Sequence, residues 1–414
     1  MKIVVYTLGC KVSQYESDAI MQELKNNGYN VSTKLEVADI YIVNTCAVTN
    51  EAERKSRGIV AKINKLNSKA KIIVCGCASE NNVKQFLEKQ NVFLALGTNG
   101  KNKIPVILDK VGDFKEEISK EYEEFSTISS SKTRAHLKIQ DGCNNFCSYC
   151  LIPYVRGRSR SRNLESIIKE AEILSKTNKE IVLTGINMSD YKINGVLALG
   201  KVLKSLNHIG SRIRIGSLEV NIITEEFLQI LKDMPNFCEH FHLSMQSGCD
   251  KILKLMNRHY NSSEYLEKVK LIKKYFPNAS ITTDVIVGFP TETEEDFSQT
   301  VETCKKAEFF QMHIFPYSVR NGTKAEKMEQ VNGAVTKERV KKLNELNKVM
   351  HSNFLINQIT KEYEVITEQV EGEHVVGHTG NYIKVYLNKN SNLDKLVKVK
   401  LTELYKDGVL GEIV

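Results

Sequence analysis

Hydrophobic and polar positions alternate along this chain with two different periods. Over residues 1–112, short β-branched runs (KIVVYTLGC, DIYIVNTC, KIIVCGC) are interleaved with SDAIMQELKNNGY and EAERKSRGIVAKINKL, whose apolar residues recur every three or four positions. The first kind reads as strand and the second as amphipathic helix, so the alternation predicts an open parallel α/β sheet. A polar, acidic stretch, EEISKEYEEFSTISSSK, reads as a connector rather than core. Over residues 129–359 the alternation resumes. AHLKIQ, EIVLTGIN, RIRIGSL, HFHLSMQSG, ITTDVIVGF and MHIFPYS read as strands, separated by helical stretches such as NLESIIKEAEILSKT, EEFLQILKDM and SSEYLEKVKLIKKYF. Strand–helix units in series, with right-handed crossovers, predict a partial (βα)6 barrel, short of a closed (β/α)8 one. A charged helical stretch, TKERVKKLNELNKVMHSNFLINQIT, ends this part. Over residues 361–414 the period falls to two: EYEVITEQ, VVGHTG, YIKVYLN, LVKVKLTELY and VLGEIV, punctuated by Gly and Asn, predict a small all-β barrel of OB-like type.

Composition fits this three-part α/β reading. With 41% hydrophobic and 26% charged residues in 414, the chain can bury a sizeable core. No stretch approaches the roughly 20 apolar residues of a membrane span, and no apolar run of helical length follows the N-terminal Lys, so neither a membrane nor a secretory class is expected. The expected compartment is the cytoplasm, where clustered cysteines are metal ligands or catalytic groups rather than disulfides. A net charge of +8 is compatible with a lysine-rich solvated surface or with a polyanionic partner such as nucleic acid.

The segment CNNFCSYC narrows the chemistry. It places Cys143, Cys147 and Cys150 in a C-x3-C-x2-C spacing just after the first strand of the second βα series. A structural zinc site wants four ligands, and no fourth Cys or His lies at a knuckle-like distance. Three thiolates can instead hold three irons of a four-iron cluster and leave the fourth iron open. The spacing, with an aromatic Tyr149 before the last cysteine, resembles that of the radical S-adenosylmethionine (SAM) enzymes. In those enzymes the open iron chelates SAM, and reductive cleavage yields a 5′-deoxyadenosyl radical. Cys10, Cys46 and Cys77 each end a predicted strand of the first segment, where neighbouring strand ends converge on one crevice. They are either a second ligand set or buried small residues. Within VCGC, Cys75 and Cys77 share a face if the strand continues, and only Cys77 follows a glycine that permits a turn.

TLGCKVSQYES, VNTCAVTNEAERKSR and GCASE resemble the N-terminal domain of the methylthiotransferases. CNNFCSYCLIPYVRGRSRSR, EIVLTGIN, HFHLSMQSGCDKILKLMNR, TTDVIVGFPTETEEDF and FPYSVRNGT follow in the family's order, and the chain's end resembles its RNA-binding TRAM barrel. The resemblance implies two [4Fe-4S] clusters, on Cys10, Cys46 and Cys77 and on Cys143, Cys147 and Cys150. It implies SAM as both methyl donor and radical source. The partners it implies are tRNA at its anticodon stem-loop, an electron donor and a sulfur donor. Within the family, GCKVSQYE resembles the pattern GCKVNQYE of the branch acting on N6-threonylcarbamoyladenosine, with Ser13 for the usual Asn. The isopentenyladenosine branch reads GCQMN, and a third branch modifies a ribosomal-protein aspartate. A tRNA-binding iron–sulfur protein without catalysis is the reading from another class.

Other candidates follow from this frame. A threonylcarbamoyl group carries a carboxylate, for which Arg156, Arg158, Arg160 and Arg162 of YVRGRSRSR are candidate partners; contact with RNA phosphates is the alternative. Their alternate spacing puts them on one side of an extended segment. Thr184 and Gly185 of EIVLTGIN, Ser244 and Gln246 of HLSMQSG, and Asp284 and Gly288 of TTDVIVGF are candidate cofactor contacts, or ordinary strand-end residues. Cys238, Cys249 and Cys304 read as small buried residues. The nine histidines show no H-x-x-x-H pair that would mark a further metal site.

Overall fold

Ile40–Thr45 and Lys71–Gly76 are almost continuously buried, and Lys2–Thr7 is buried through its middle, because both faces of their sheet are covered. In the computed structural model, which describes residues 1–127, 133–389 and 391–414, these strands lie side by side in a parallel sheet. The order is Asn30–Ser32, Lys2–Thr7, Ile40–Thr45, Lys71–Gly76, Val92–Ala95, Gly112–Asp113. Helix Lys11–Asn26 packs Ala19, Ile20 and Leu24 against Ile3, Val5 and Ile42 on one face. Helix Asn50–Leu66 packs Ile59, Val60 and Ile63 against Val4, Tyr41 and Val43 on the other. The strands Asn30–Ser32, Val92–Ala95 and Gly112–Asp113 extend the sheet beyond the sequence expectation; at two to four residues each they are too short to display a period.

The second region has the six expected strands in parallel, but in two sheets. Arg212–Ile215, Glu180–Thr184 and Arg134–Lys138 form one. Ser217–Leu218, His240–Leu243, Ser280–Val287 and Gln311–Pro316 form the other. The split falls at Gly216, inside the third strand, where a Cβ would lie 3.0 Å from the Leu183 carbonyl oxygen. Among the described residues the outer strands Arg134–Lys138 and Gln311–Pro316 do not pair with each other, so the barrel is open on that side. Helix Gly333–Ile356 braces its last strand, with Asn347 bonded to both the amide and the carbonyl of Met312. Helix Lys11–Asn26 contacts the first strand, bringing the N-terminal region to the open side.

The third region is the expected five-stranded closed barrel: Glu362–Glu371, His374–Thr379, Lys384–Asn388, Gly408–Ile413 and Leu396–Tyr405, in that order around it. It is docked firmly. Arg134 pairs with Glu368 at 2.9 Å. Arg212 and Arg214 donate to the carbonyls of Glu364 (3.0 Å) and Gly380 (2.9 Å), and the Tyr382 ring stacks on His240 at 5.1 Å. The acidic connector departs from the linker expectation. Phe125 is buried in the N-terminal core, Tyr122 donates to the Lys138 carbonyl at 3.1 Å, and Glu123 accepts from the Gly100 amide at 3.1 Å. Its two aromatic residues supply the apolar anchors that its overall polarity conceals. Its end, residues 128–132, lies outside the described residues, as does the expected domain boundary at 129. No helix among the described residues is long and apolar enough to cross a membrane.

Candidate functional site

Each of three adjacent strands of the first sheet delivers a cysteine at its carboxyl end. Cys10 caps helix Lys11–Asn26 from the extended region, Cys46 directly follows Ile40–Thr45, and Cys77 begins the short helix Cys77–Asn81. Gly9 (φ 114°) and Gly76 (φ 98°) are in a backbone region other residues avoid, and each turns the chain into its cysteine. A Cβ on Gly9 would lie 3.0 Å from Cys46 Cβ, so these loops meet. Burial, with the nearby Cys77 and Cys10 thiols, pushes Cys46 up to about 11. Burial pushes Cys77 up against the lowering charges of Arg156 and Lys101, with Cys10 and Glu16 adding to the rise. Cys75 belongs to the opposite core layer, among Ile3, Ile42 and Ile73. The shared face expected for Cys75 and Cys77 does not arise, because the strand ends at Gly76.

Arg156 ties this triad to the second region. Its Nε donates to Cys77 Sγ at 3.2 Å, and its Nη groups donate to Glu16 (2.8 and 3.1 Å) and Asp141 (3.1 and 3.2 Å). Lys101 and Lys138 complete the cluster around Glu16. Burial alone would raise the Glu16 carboxyl; the charges of Arg156, Lys101 and Lys138 outweigh it and hold it well below the usual range. Arg160 donates to the Ser119 carbonyl at 2.6 Å, and Arg162 pairs with Glu170 at 2.5 Å. Three of the four arginines read as candidates for a substrate carboxylate are therefore buried and committed within the chain. The stretch is not an extended segment but a helix Ile152–Val155, a turn at Gly157 and a two-residue strand. Arg158 alone of the four is exposed, over the Phe146 ring at 4.3 Å.

The second triad occupies the loop after Gln140–Asp141. Phe146 (φ 48°) kinks it, the Cys150 amide closes a turn on the Cys147 carbonyl at 3.0 Å, and the Cys143 amide reaches the Gly157 carbonyl at 3.0 Å. Here too one arginine donates to one sulfur: Arg258 Nη1 lies 3.3 Å from Cys147 Sγ, while its Nη2 pairs with Glu219 and reaches the Ser244 carbonyl at 3.2 Å. Asn187 Nδ2 lies 3.8 Å from Cys143 Sγ. Burial, with Cys147 and Cys143 beside it, pushes Cys150 up to about 12.

The donor sets fit clusters better than single ions. Zinc holds its thiolates at about 2.3 Å, which draws the sulfurs close together. Among the described residues neither cysteine triad brings its sulfurs within 4.8 Å of one another; the one group that tight is His242, Asp284 and His313. Three spread thiolates with a cationic donor behind one of them suit a larger, anionic iron–sulfur group.

Three of the cavities adjoining the triads bear on the site. One of about 230 Å³ lies between Cys150 and Tyr149, Gln246 and Asp284, and the loop Ala47–Thr49 of the first region. One of about 250 Å³ lies outside the Cys143–Cys147 loop, against Asn187, Glu219 and Arg258. The largest, about 740 Å³, runs from Cys10 and Lys11 along the barrel lumen, past Arg214, His242 and His313, to Tyr382 of the C-terminal barrel. Asp284 marks the boundary between the first and the third. It lines the first, and its Oδ2 lies 3.4 Å from Nε2 of His242, which lines the third.

Of the cofactor contacts read from the sequence, Gln246 and Asp284 are brought together with Cys150. Gln246 takes a positive φ (66°), bonding its amide and carbonyl to Asp284 and Ile286. Thr184, Gly185, Ser244 and Gly288 do not line these cavities. Gly185 packs on Gln140, Gly288 on Thr336, the Ser244 carbonyl holds Arg258 and Tyr260, and the strand ending at Thr184 delivers Asn187 to the site instead. Asp284 was named from the sequence, but its grouping with His242 and His313, and the role of Arg258, were missed, since their partners lie on separate elements. Their one linear signal is an ionisable residue in the middle of an apolar strand, as in HFHL, TTDV and MHIF.

Residues 2–97 match the uncharacterized protein family UPF0004, and residues 137–304 match the radical SAM superfamily. A protein named threonylcarbamoyladenosine tRNA methylthiotransferase MtaB from Bacillus subtilis is 36% identical over 100% of this chain and 97% of its own length. One named tRNA-2-methylthio-N(6)-dimethylallyladenosine synthase from Alkaliphilus oremlandii is 34% identical over 100% of this chain and 93% of its own. The fold is similar to that of the radical SAM methyltransferase TsrM from Kitasatospora setae. There the TM-score is 0.59 at 13% identity, over 78% of this chain and 77% of that one.

Proposed function

The chain belongs to the radical SAM methylthiotransferase family, and from that premise we propose that it adds a methylthio group to C2 of N6-threonylcarbamoyladenosine, next to the anticodon of tRNA. One observation carries this reading: two cysteine triads, each with an arginine hydrogen-bonded to one sulfur, open onto two cavities, one lined by Asp284 and the other by His242, 3.4 Å from it. Cys143, Cys147 and Cys150 would hold one [4Fe-4S] cluster, and Cys10, Cys46 and Cys77 the other. Bound there, the clusters supply the electron that cleaves SAM and the site that carries the sulfur to be transferred.

The chain's own residues arrange the rest. Arg156 and Arg258 offset thiolate charge from inside the protein. Gln246 and Asp284 present an amide and a carboxylate to the smaller cavity, where they would orient SAM or the nucleobase. Ala47–Thr49 and Phe315–Ser318 line the side of that cavity facing the first region and the last strand. The C-terminal barrel would bind the tRNA backbone. The chemistry would further require an electron donor and a sulfur donor, and with tRNA as substrate it would run in the cytoplasm.

The chain's similarity to a dimethylallyladenosine-named relative makes the competing substrate explicit. The test is nucleoside mass spectrometry after anaerobic incubation of the reconstituted protein with SAM, a reductant and tRNA bearing either modification. We expect the threonylcarbamoyl nucleoside to gain one methylthio group. Product only on the isopentenyl tRNA would reassign the branch, and tRNA binding without product on either would favour a noncatalytic role.

A further inference from the structure

Three cations line the large chamber beside Cys10, and two of them are already taken. Arg134 pairs with Glu368 at 2.9 Å and Arg214 with Glu180 at 2.6 Å. The third, Lys11, makes no hydrogen bond or ion pair among the described residues, although it follows a triad cysteine directly and reaches into the lumen. The nearby acids are occupied as well: Glu368 bonds both Arg134 and His378 (2.9 Å), and Asp284 faces His242. A chamber with its acids paired and one ammonium unpaired is built to receive an anion. Backbone geometry holds Lys11 there. It is the first residue of helix Lys11–Asn26, behind Gly9 and Cys10, so its Cα keeps a fixed place beside the triad.

We propose that Lys11 binds the carboxylate of the threonylcarbamoyl group and so selects the charged nucleoside over an apolar one. This inference rests on the reaction proposed above. The nucleobase would lie near Asp284, at the boundary of the two cavities, with its N6 substituent extending into the lumen toward Lys11. The lysine replaces the four arginines as the carboxylate's partner. It is a specificity-determining residue, and it takes no part in bond making.

The test measures binding of an anticodon stem-loop to the reconstituted protein, comparing the free threonylcarbamoyl carboxylate with its methyl ester. The unaltered protein should bind the acid about 10- to 100-fold more tightly, the range of one charge-assisted hydrogen bond. Lys11→Gln should erase that difference by weakening the acid alone, and Lys11→Arg should restore most of it. Iron content of each variant, expected to stay at about eight per chain, separates this effect from damage to the neighbouring triad. Equal weakening of acid and ester by Lys11→Gln, or no discrimination by the unaltered protein, would overturn the assignment. Retained discrimination without any methylthio product would support Lys11 while overturning the reaction it serves.

Discussion

Arg156 is 1% exposed, yet its guanidinium touches two carboxylates and a thiol. Removing such a cation leaves its partners as uncompensated buried charge, which costs about 3–5 kcal/mol. Arg156→Met should lower stability by that order in thermal unfolding, and should cut iron after reconstitution toward about four per chain as Cys77 loses its support. The arginine itself was legible in the sequence, but its role was not. Glu16 lies 140 positions away, and nothing local distinguishes an arginine bound for such a partner from one left in solvent. A neighbouring choice was more tractable. Cys77→Ala should lose the N-terminal cluster and all methylthiolation while iron bound by the other triad remains. Cys75→Ala, in the opposite core layer, should keep both clusters. Iron analysis of the two variants decides between them, and the reverse pattern would show that Cys75 is the ligand. Here the glycine between the two was the informative residue, because it ends the strand.

Gly76 makes the same point for elements. Its φ of 98° sets the angle between a strand and the helix that starts with Cys77, and a Cβ there would lie 2.6 Å from the Thr45 carbonyl oxygen. Gly76→Ala should therefore displace Cys77, with strain of about 1–3 kcal/mol, and reconstituted iron should fall toward about four. Iron near eight would mean the loop relaxes around the added methyl. The strands of the second region and those of the closing barrel were readable because each is long enough to show a period or an apolar run. The two-residue edge strand Gly112–Asp113 and the packed connector were not, since a pair of residues has no period and two aromatic anchors do not outweigh thirteen charged and polar neighbours. The grouping of Asp284 with His242 and His313 was hidden for another reason: each comes from a different strand, and the sheet alone brings their ligand atoms within 4.8 Å.

Across the whole molecule, the C-terminal barrel has two faces with different tasks. Outward, Tyr405 is half-buried against Tyr386 (4.9 Å) and His374 (5.1 Å), with the exposed Lys406 over its ring at 5.0 Å. Aromatic rings interleaved with lysine suit stacking of unpaired bases beside a phosphate. Tyr405→Ala should raise the tRNA dissociation constant about 5- to 100-fold, the effect of roughly 1–3 kcal/mol of stacking. Lys406→Gln should reduce the slope of log affinity against log salt by about one. Filter binding across a salt series measures both, and unchanged values would move the RNA contact to another face. Inward, Tyr382, Glu368 and Gln369 form part of the wall of the large chamber. That wall is made from residues synthesised after both domains that carry the cysteines. A nascent chain can therefore complete its metal-binding loops before its reaction vessel has a floor, and the barrel that carries this floor closes only with its last strands, Leu396–Tyr405 and Gly408–Ile413. A product clipped before Lys361 would thus keep all six triad cysteines and yet lack this part of the chamber wall.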